Sequence, residues 1–143
     1  MKRTANAQWR GDLKSGAGTI STASGVLSST NYSFPTRFED GTGTNPEELL
    51  AAAHAGCFTM AVSAQLAGAG LAAEKLETTC TISLEKGADG FGITESHLDL
   101  KAKIPGASQA AFDTAVQAAK SGCPVSKLYK TNITLTAVLE GLG

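Results

Sequence analysis

The chain has 143 residues, a length suited to one domain around a single core. Its 42% hydrophobic and 17% charged residues exclude a disordered chain. The 12 basic and 13 acidic residues leave a net charge of -1, which offers no electrostatic footprint for nucleic acid or for an anionic membrane.

The first third reads as β structure divided by glycines. TANAQWRG, residues 4–11, is a strand that stops at Gly11, and GAGTISTASG, residues 16–25, is a weakly alternating strand that stops at Gly25. Lys2 and Arg3 precede no apolar stretch, so no secretory signal is expected. NYSFPTRFE, residues 31–39, alternates aromatic and polar side chains and reads as a third strand, with Pro35 at an edge or bend. DGTGTNPEELL then opens a helix: Asn45 caps it, Pro46 fits its first turn, and Glu47 and Glu48 complement the N-terminal dipole. The pattern predicts a helix over about 46–68, ending near Gly68 and Gly70.

Residues 74–86 and 91–104 read as the two arms of a hairpin around GADG, with Leu76, Thr78, Cys80, Ile82 and Leu84 on one face. SQAAFDTAVQAAKSG is a second amphipathic helix, capped by Ser108 and closed by Gly122. CPVSKLYK is a turn or an extra helical turn, and NITLTAVLE is a final strand. The order βββ-α-ββ-α-β is an α+β pattern. With no repeat, linker or low-complexity tract, residues 1–143 are expected to form a single domain.

The long helix is rich in small residues: Ala51, Ala52, Ala53, Ala55, Gly56, Ala61, Ala64 and Ala67. A helix that is apolar all round must be buried all round, and one small domain can hardly wrap it. A second copy of the chain is therefore expected to cover it, as a homodimer. No run approaches the roughly 20 apolar residues of a membrane span, so the expected place is the cytoplasm, with no membrane partner.

The cysteines stand at 57, 80 and 123. No CxxC pair exists, so a closed zinc site is not expected; no other metal and no cofactor is expected either. A disulfide framework does not suit a reducing cytosol. What remains is free thiols, as buried fillers or as reactive groups. Cys57 sits in the apolar helix and fits either description. Cys123, in SGCPVS, lies between Gly122, free to adopt a positive φ, and Pro124, which cannot continue a helix. Such a stiff turn can aim a thiol, or the sulfur can simply fill space. Cys80 alternates with Ile82 and Leu84 and reads as core.

A cation can lower a thiol's pKa by a few units. Arg37, between aromatics, is a candidate and is equally readable as an ordinary surface arginine. His54 shares the face of Cys57, three residues away, and can polarise it or be a satisfied core histidine. Glu47 lies ten residues before Cys57, roughly 15 Å along a helix axis, so the two cannot touch on one straight helix. It can orient an arginine, reach the sulfur of a neighbouring chain, or merely complement the helix dipole, as can Glu48.

Taken together, GTNPEELLAAAHAGCFTMAVS, GCPVSKLYKTNITLT, QWRGDLKSGAGTISTASGVL and YSFPTRFE closely resemble the OsmC branch of the OsmC/Ohr family of thiol peroxidases. The likeness runs along essentially the whole chain. It implies an intertwined homodimer, with mainly antiparallel sheets packed around long central helices and active sites at the subunit interface. It implies an organic hydroperoxide reductase in which Cys57 is the peroxidatic and Cys123 the resolving cysteine, joined as a disulfide after oxidation. Glu47 falls on the family's active-site glutamate. Arg37 falls on the arginine that this branch supplies from the segment, with Arg10 as the alternative. The reductant implied is a dithiol, the dihydrolipoyl group of a lipoylated protein. A redox-sensing dimer using the same disulfide without turnover is the rival reading; the lack of a basic patch or DNA-reading helix argues against a regulator. A small-molecule-binding or structural dimer with inert thiols is a third.

Overall fold

A computed structural model describes residues 1–141. The chain forms two compact units, Met1–Leu49 and the residues from Leu50 onward. In the first unit, β1 (Ala5–Arg10), β2 (Ala17–Thr22) and β3 (Thr30–Tyr32) make an antiparallel meander in that order. Gly18 faces Trp9 on one side and Tyr32 on the other. A Cβ there would lie 2.5 Å from the Tyr32 ring and 2.7 Å from the Trp9 ring, so only glycine lets the two rings close over the strand. The rings meet edge to face, with centroids 5.5 Å apart.

The third strand is shorter than the sequence pattern predicts. It ends at Tyr32, and α1 (Phe34–Phe38) follows as a single helical turn, where the aromatic alternation reads as continued strand. A reciprocal cap explains the difference: Thr36 N–H donates to Ser33 Oγ at 3.4 Å, and Ser33 N–H donates to Thr36 Oγ1 at 2.7 Å. Pro35, in the first turn, gives up no hydrogen bond that a helix start would use. Local capping thus overrides strand periodicity at the position that carries Arg37.

The long helix, α2 (Pro46–Gly68), has the predicted bounds. Glu48 N–H donates to Asn45 Oδ1 at 2.7 Å at its start. At its end Gly70 turns to φ 73°, and Leu71 N–H reaches back to the Leu66 carbonyl at 2.9 Å. By length and composition alone, a test that the core helix of a protein in water also passes, the most apolar window of α2 could cross a membrane. Its alanines and single large apolar residues add up even though no run is continuously greasy. Only 22% of that window is buried within the chain, and Met60 is 77% exposed.

In the second unit, β4 (Lys75–Gly87) and β5 (Gly90–Lys103) form the hairpin, tightly turned between Gly87 and Gly90. α3 (Gln109–Gly122) and α4 (Pro124–Leu128) lead to β6 (Asn132–Glu140). β6 pairs with β5 in parallel, a departure from an all-antiparallel pattern that the helical crossover makes possible. The chain is therefore mixed α+β, with two three-stranded sheets among the described residues. The core of this unit joins Phe58, Val62 and Leu66 of α2, Leu98, Leu100 and Ala102 of β5, and Phe112, Val116 and Ala119 of α3. Spacings of four on α2 and two on β5 put each set on one face. This core fixes α2 against the end of α3, where the two candidate cysteines stand.

Candidate functional site

Cys57 lies in α2, one residue before core Phe58. Cys123 ends α3 and begins α4, with ψ 128° breaking the helix between them. Its N–H reaches the Ala119 carbonyl at 3.0 Å, and its carbonyl accepts from Lys127 N–H at 3.1 Å, so the bend is bonded on both sides. Pro124 starts α4 with no N–H to strand. These constraints point the Cys123 thiol at α2, where S–H donates to Cys57 Sγ at 2.8 Å. Both cysteines are free thiols, Cys123 fully buried and Cys57 half-buried. A covalent disulfide needs about 2.05 Å, so oxidation would ask for little backbone movement.

Burial pushes the Cys57 thiol above its ordinary range, and the hydrogen bond with Cys123 adds to that. The Val125 backbone N–H, in the first turn of α4, acts in the opposite sense by favouring the thiolate. Val125 contributes only its backbone, which no residue-type signal could have revealed. Cys80 packs against the core from β4, its sulfur 3.3 Å from Ser96 Oγ, and burial raises its pKa as well. His54 is 0% exposed and bonded at both ring nitrogens: Nδ1 lies 2.6 Å from Ser96 Oγ and Nε2 2.8 Å from Ser126 Oγ. Burial keeps it neutral by lowering its pKa. Of the two descriptions open to His54, the satisfied core histidine is the one observed.

The first unit holds the other candidates. Arg37 on α1 grips Glu47 in the first turn of α2: Nε lies 3.1 Å and 3.2 Å from the two carboxylate oxygens, and Nη2 lies 2.7 Å from Oε1. The Arg37 side chain is 40% exposed and that of Glu47 only 11%, so the carboxylate is the fixed member and the guanidinium the presented one. Glu48, indistinguishable from Glu47 by composition, instead accepts from Thr44 Oγ1 at 2.7 Å. Asn45 Nδ2 donates to the Thr36 carbonyl at 2.9 Å, which ties the start of α2 to α1. Arg10 lies exposed at the end of β1.

A cavity of ≈280 Å³ opens beside Arg37, walled by Trp9, Leu13, Tyr32, Ser33, Phe34, Arg37 and Phe38. Sequence reasoning missed its aromatic lining, because the rings converge only once 34–38 coils into α1. The chemistry on offer in this unit is one guanidinium at the edge of an apolar hollow. Among the described residues, no group of three or more His, Cys, Asp and Glu side chains is placed to hold a metal ion.

A family model described as OsmC-like protein matches residues 39–138. The chain is 49% identical over 140 residues to Peroxiredoxin OsmC of Escherichia coli (strain K12), covering 98% of each. It is 34% identical over 105 residues to the Organic hydroperoxide resistance protein of Xanthomonas axonopodis pv. citri (strain 306), covering 69% of this chain and 68% of the relative. Among solved structures, the Organic Hydroperoxide Resistance Protein OhrB of Bacillus subtilis superposes with a TM-score of 0.69 at 28% identity, covering 96% of this chain and 98% of that one.

Proposed function

The chain belongs to the OsmC-like family, and from that membership we propose that it reduces organic hydroperoxides to alcohols with Cys57 as nucleophile and Cys123 as resolving thiol. By the same kinship it is a peroxidase enzyme. The observation that carries the mechanism is the 2.8 Å approach of the two free sulfurs.

The Cys57 thiolate attacks the distal oxygen of ROOH. The O–O bond breaks, the alkoxide takes up a proton and leaves as ROH, and Cys57 becomes a sulfenic acid. Cys123 then displaces water from that sulfenic acid, forming the disulfide. A dithiol reopens the bond by exchange and is itself oxidised to a disulfide. The exposure difference supports the division of labour: the half-buried thiol meets substrate, and the buried one meets only its partner.

The surroundings of Cys57 in its own unit raise its pKa, so a thiolate at neutral pH needs a cation. We assign that role to Arg37, with Glu47 holding its plane. The same guanidinium would bond the peroxide and stabilise the developing negative charge. The aromatic hollow beside it supports a preference for organic over hydrogen peroxide. A second copy covering the exposed small-residue face of α2 is part of the proposal, as is a lipoyl-type dithiol as reductant. A reducing cytosol suits thiols that cycle in this way.

Turnover of cumene hydroperoxide with dihydrolipoamide tests the assignment. Cys57→Ser is expected to abolish it. Cys123→Ser is expected to consume about two equivalents per chain, one to the sulfenic and one to the sulfinic acid, and then to stall with Cys57 over-oxidised. Normal cycling by either variant would overturn the corresponding role.

A further inference from the structure

Cys57 and Cys123 are one rung of a ladder between α2 and α4. Three residues back along α2 stands His54, and three residues on along α4 stands Ser126; these two meet at 2.8 Å. One more turn in each direction brings Leu50 and Tyr129 together, the tyrosine O–H donating to the Leu50 carbonyl at 2.7 Å. The Tyr129 ring also packs edge-on against His54, with centroids 5.0 Å apart. The second ring nitrogen of His54 is anchored to β5 through Ser96.

A neutral imidazole donates from one nitrogen and accepts at the other, and a hydroxyl can answer either need. With a serine at each end, His54 is fully satisfied in a site closed to water, and among the described residues no buried side-chain polar atom lacks a partner. Such a bond is expensive to leave half-made. α4 is only five residues long, so its place depends on tertiary contacts: the Ser126 bond to His54, the Tyr129 bond to Leu50 and Val125 packed on the core. Yet it carries both the Cys123 sulfur and the Val125 N–H that bear on Cys57.

We propose that His54, through Ser126, is a positioning residue for the resolving step, clamping α4 so that Cys123 meets the Cys57 sulfenic acid before a second peroxide does. This rests on the peroxidase reading above. The sulfenic acid has two fates. Condensation with the Cys123 thiol releases water and forms the disulfide. Attack on a second ROOH breaks another O–O bond, releases ROH and leaves a sulfinic acid. The clamp sets the ratio of these two rates.

Intact mass after exposure to graded cumene hydroperoxide reads that ratio on folded protein. Ser126→Ala removes the α4 end of the rung and is expected to lower the peroxide concentration giving half over-oxidation about tenfold, the scale of one buried hydrogen bond. His54→Leu should do the same, and His54→Gln, whose amide can still reach Ser126, should recover most of the loss. Loosening α4 also withdraws the Val125 N–H, so alkylation of Cys57 in Ser126→Ala should shift to higher pH; a role in stability alone would move neither readout. If His54→Leu fails to fold, Ser126→Ala decides alone. Disulfide formation as efficient in Ser126→Ala as in the wild type overturns the clamp. A wild-type protein that never forms the 57–123 bridge overturns the parent reading and this inference with it.

Discussion

Cys57 carries the proposed chemistry without being equipped for it by its immediate neighbours. Burial and the Cys123 hydrogen bond raise its pKa, and only the Val125 N–H opposes them. A raised pKa means less thiolate at neutral pH and a rate that climbs as pH rises toward it. If Arg37 supplies the missing stabilisation, Arg37→Ala should slow the first oxidation of Cys57 at pH 7 by roughly 10–100-fold, one to two pKa units' worth. The loss should shrink as pH rises, because hydroxide then does what the cation did. Single-turnover rates between pH 6 and 10 check this; parallel profiles for variant and wild type would remove Arg37 from the role. At this scale the sequence exposed residue types but not their partners. Arg37 and Glu47 were both visible candidates, yet nothing local told Glu47 from Glu48. The difference arises because Thr44 occupies one carboxylate and α1 presents an arginine to the other. His54 was open to two descriptions until Ser96 and Ser126, distant in sequence, closed around it.

The elements were legible where start and stop signals agree. α2 runs from Pro46 to Gly68 because capping, dipole and glycine signals all mark the same ends. The hairpin and the final strand follow alternation and turn residues in the same way. α1 escaped notice because five residues give periodicity too little to work with, while the cap at Ser33 decides the conformation. The parallel pairing of β6 with β5 escaped because strand order does not say which neighbour a strand will choose. The cap can be tested. Ser33→Ala should cost about 1 kcal/mol by chemical denaturation. It should also slow the first oxidation, since the turn that presents Arg37 frays. An unchanged midpoint together with an unchanged rate would show that α1 needs no cap.

For the whole molecule, the open question in the sequence was why a helix so poor in bulky side chains should be so apolar. Within one chain α2 leaves most of its apolar window uncovered, with Met60 and Gly56 on open ground. β1 is exposed along its entire length. Surfaces of this kind mark an interface. Light scattering at micromolar concentration should therefore give twice the mass of one chain, and Met60→Glu should shift the population toward monomer. A wild-type monomer would leave that face unexplained. The alanine content fits a close approach of backbones, as such a pairing of copies would need.

The central claim is that Cys57 and Cys123 form one redox pair. Intact mass and peptide mapping after one equivalent of an organic hydroperoxide test it most directly. The account predicts a loss of two hydrogens per chain, mapped to a bridge between residues 57 and 123. A gain of oxygen on Cys57 with Cys123 still free, or a bridge through Cys80, would contradict it.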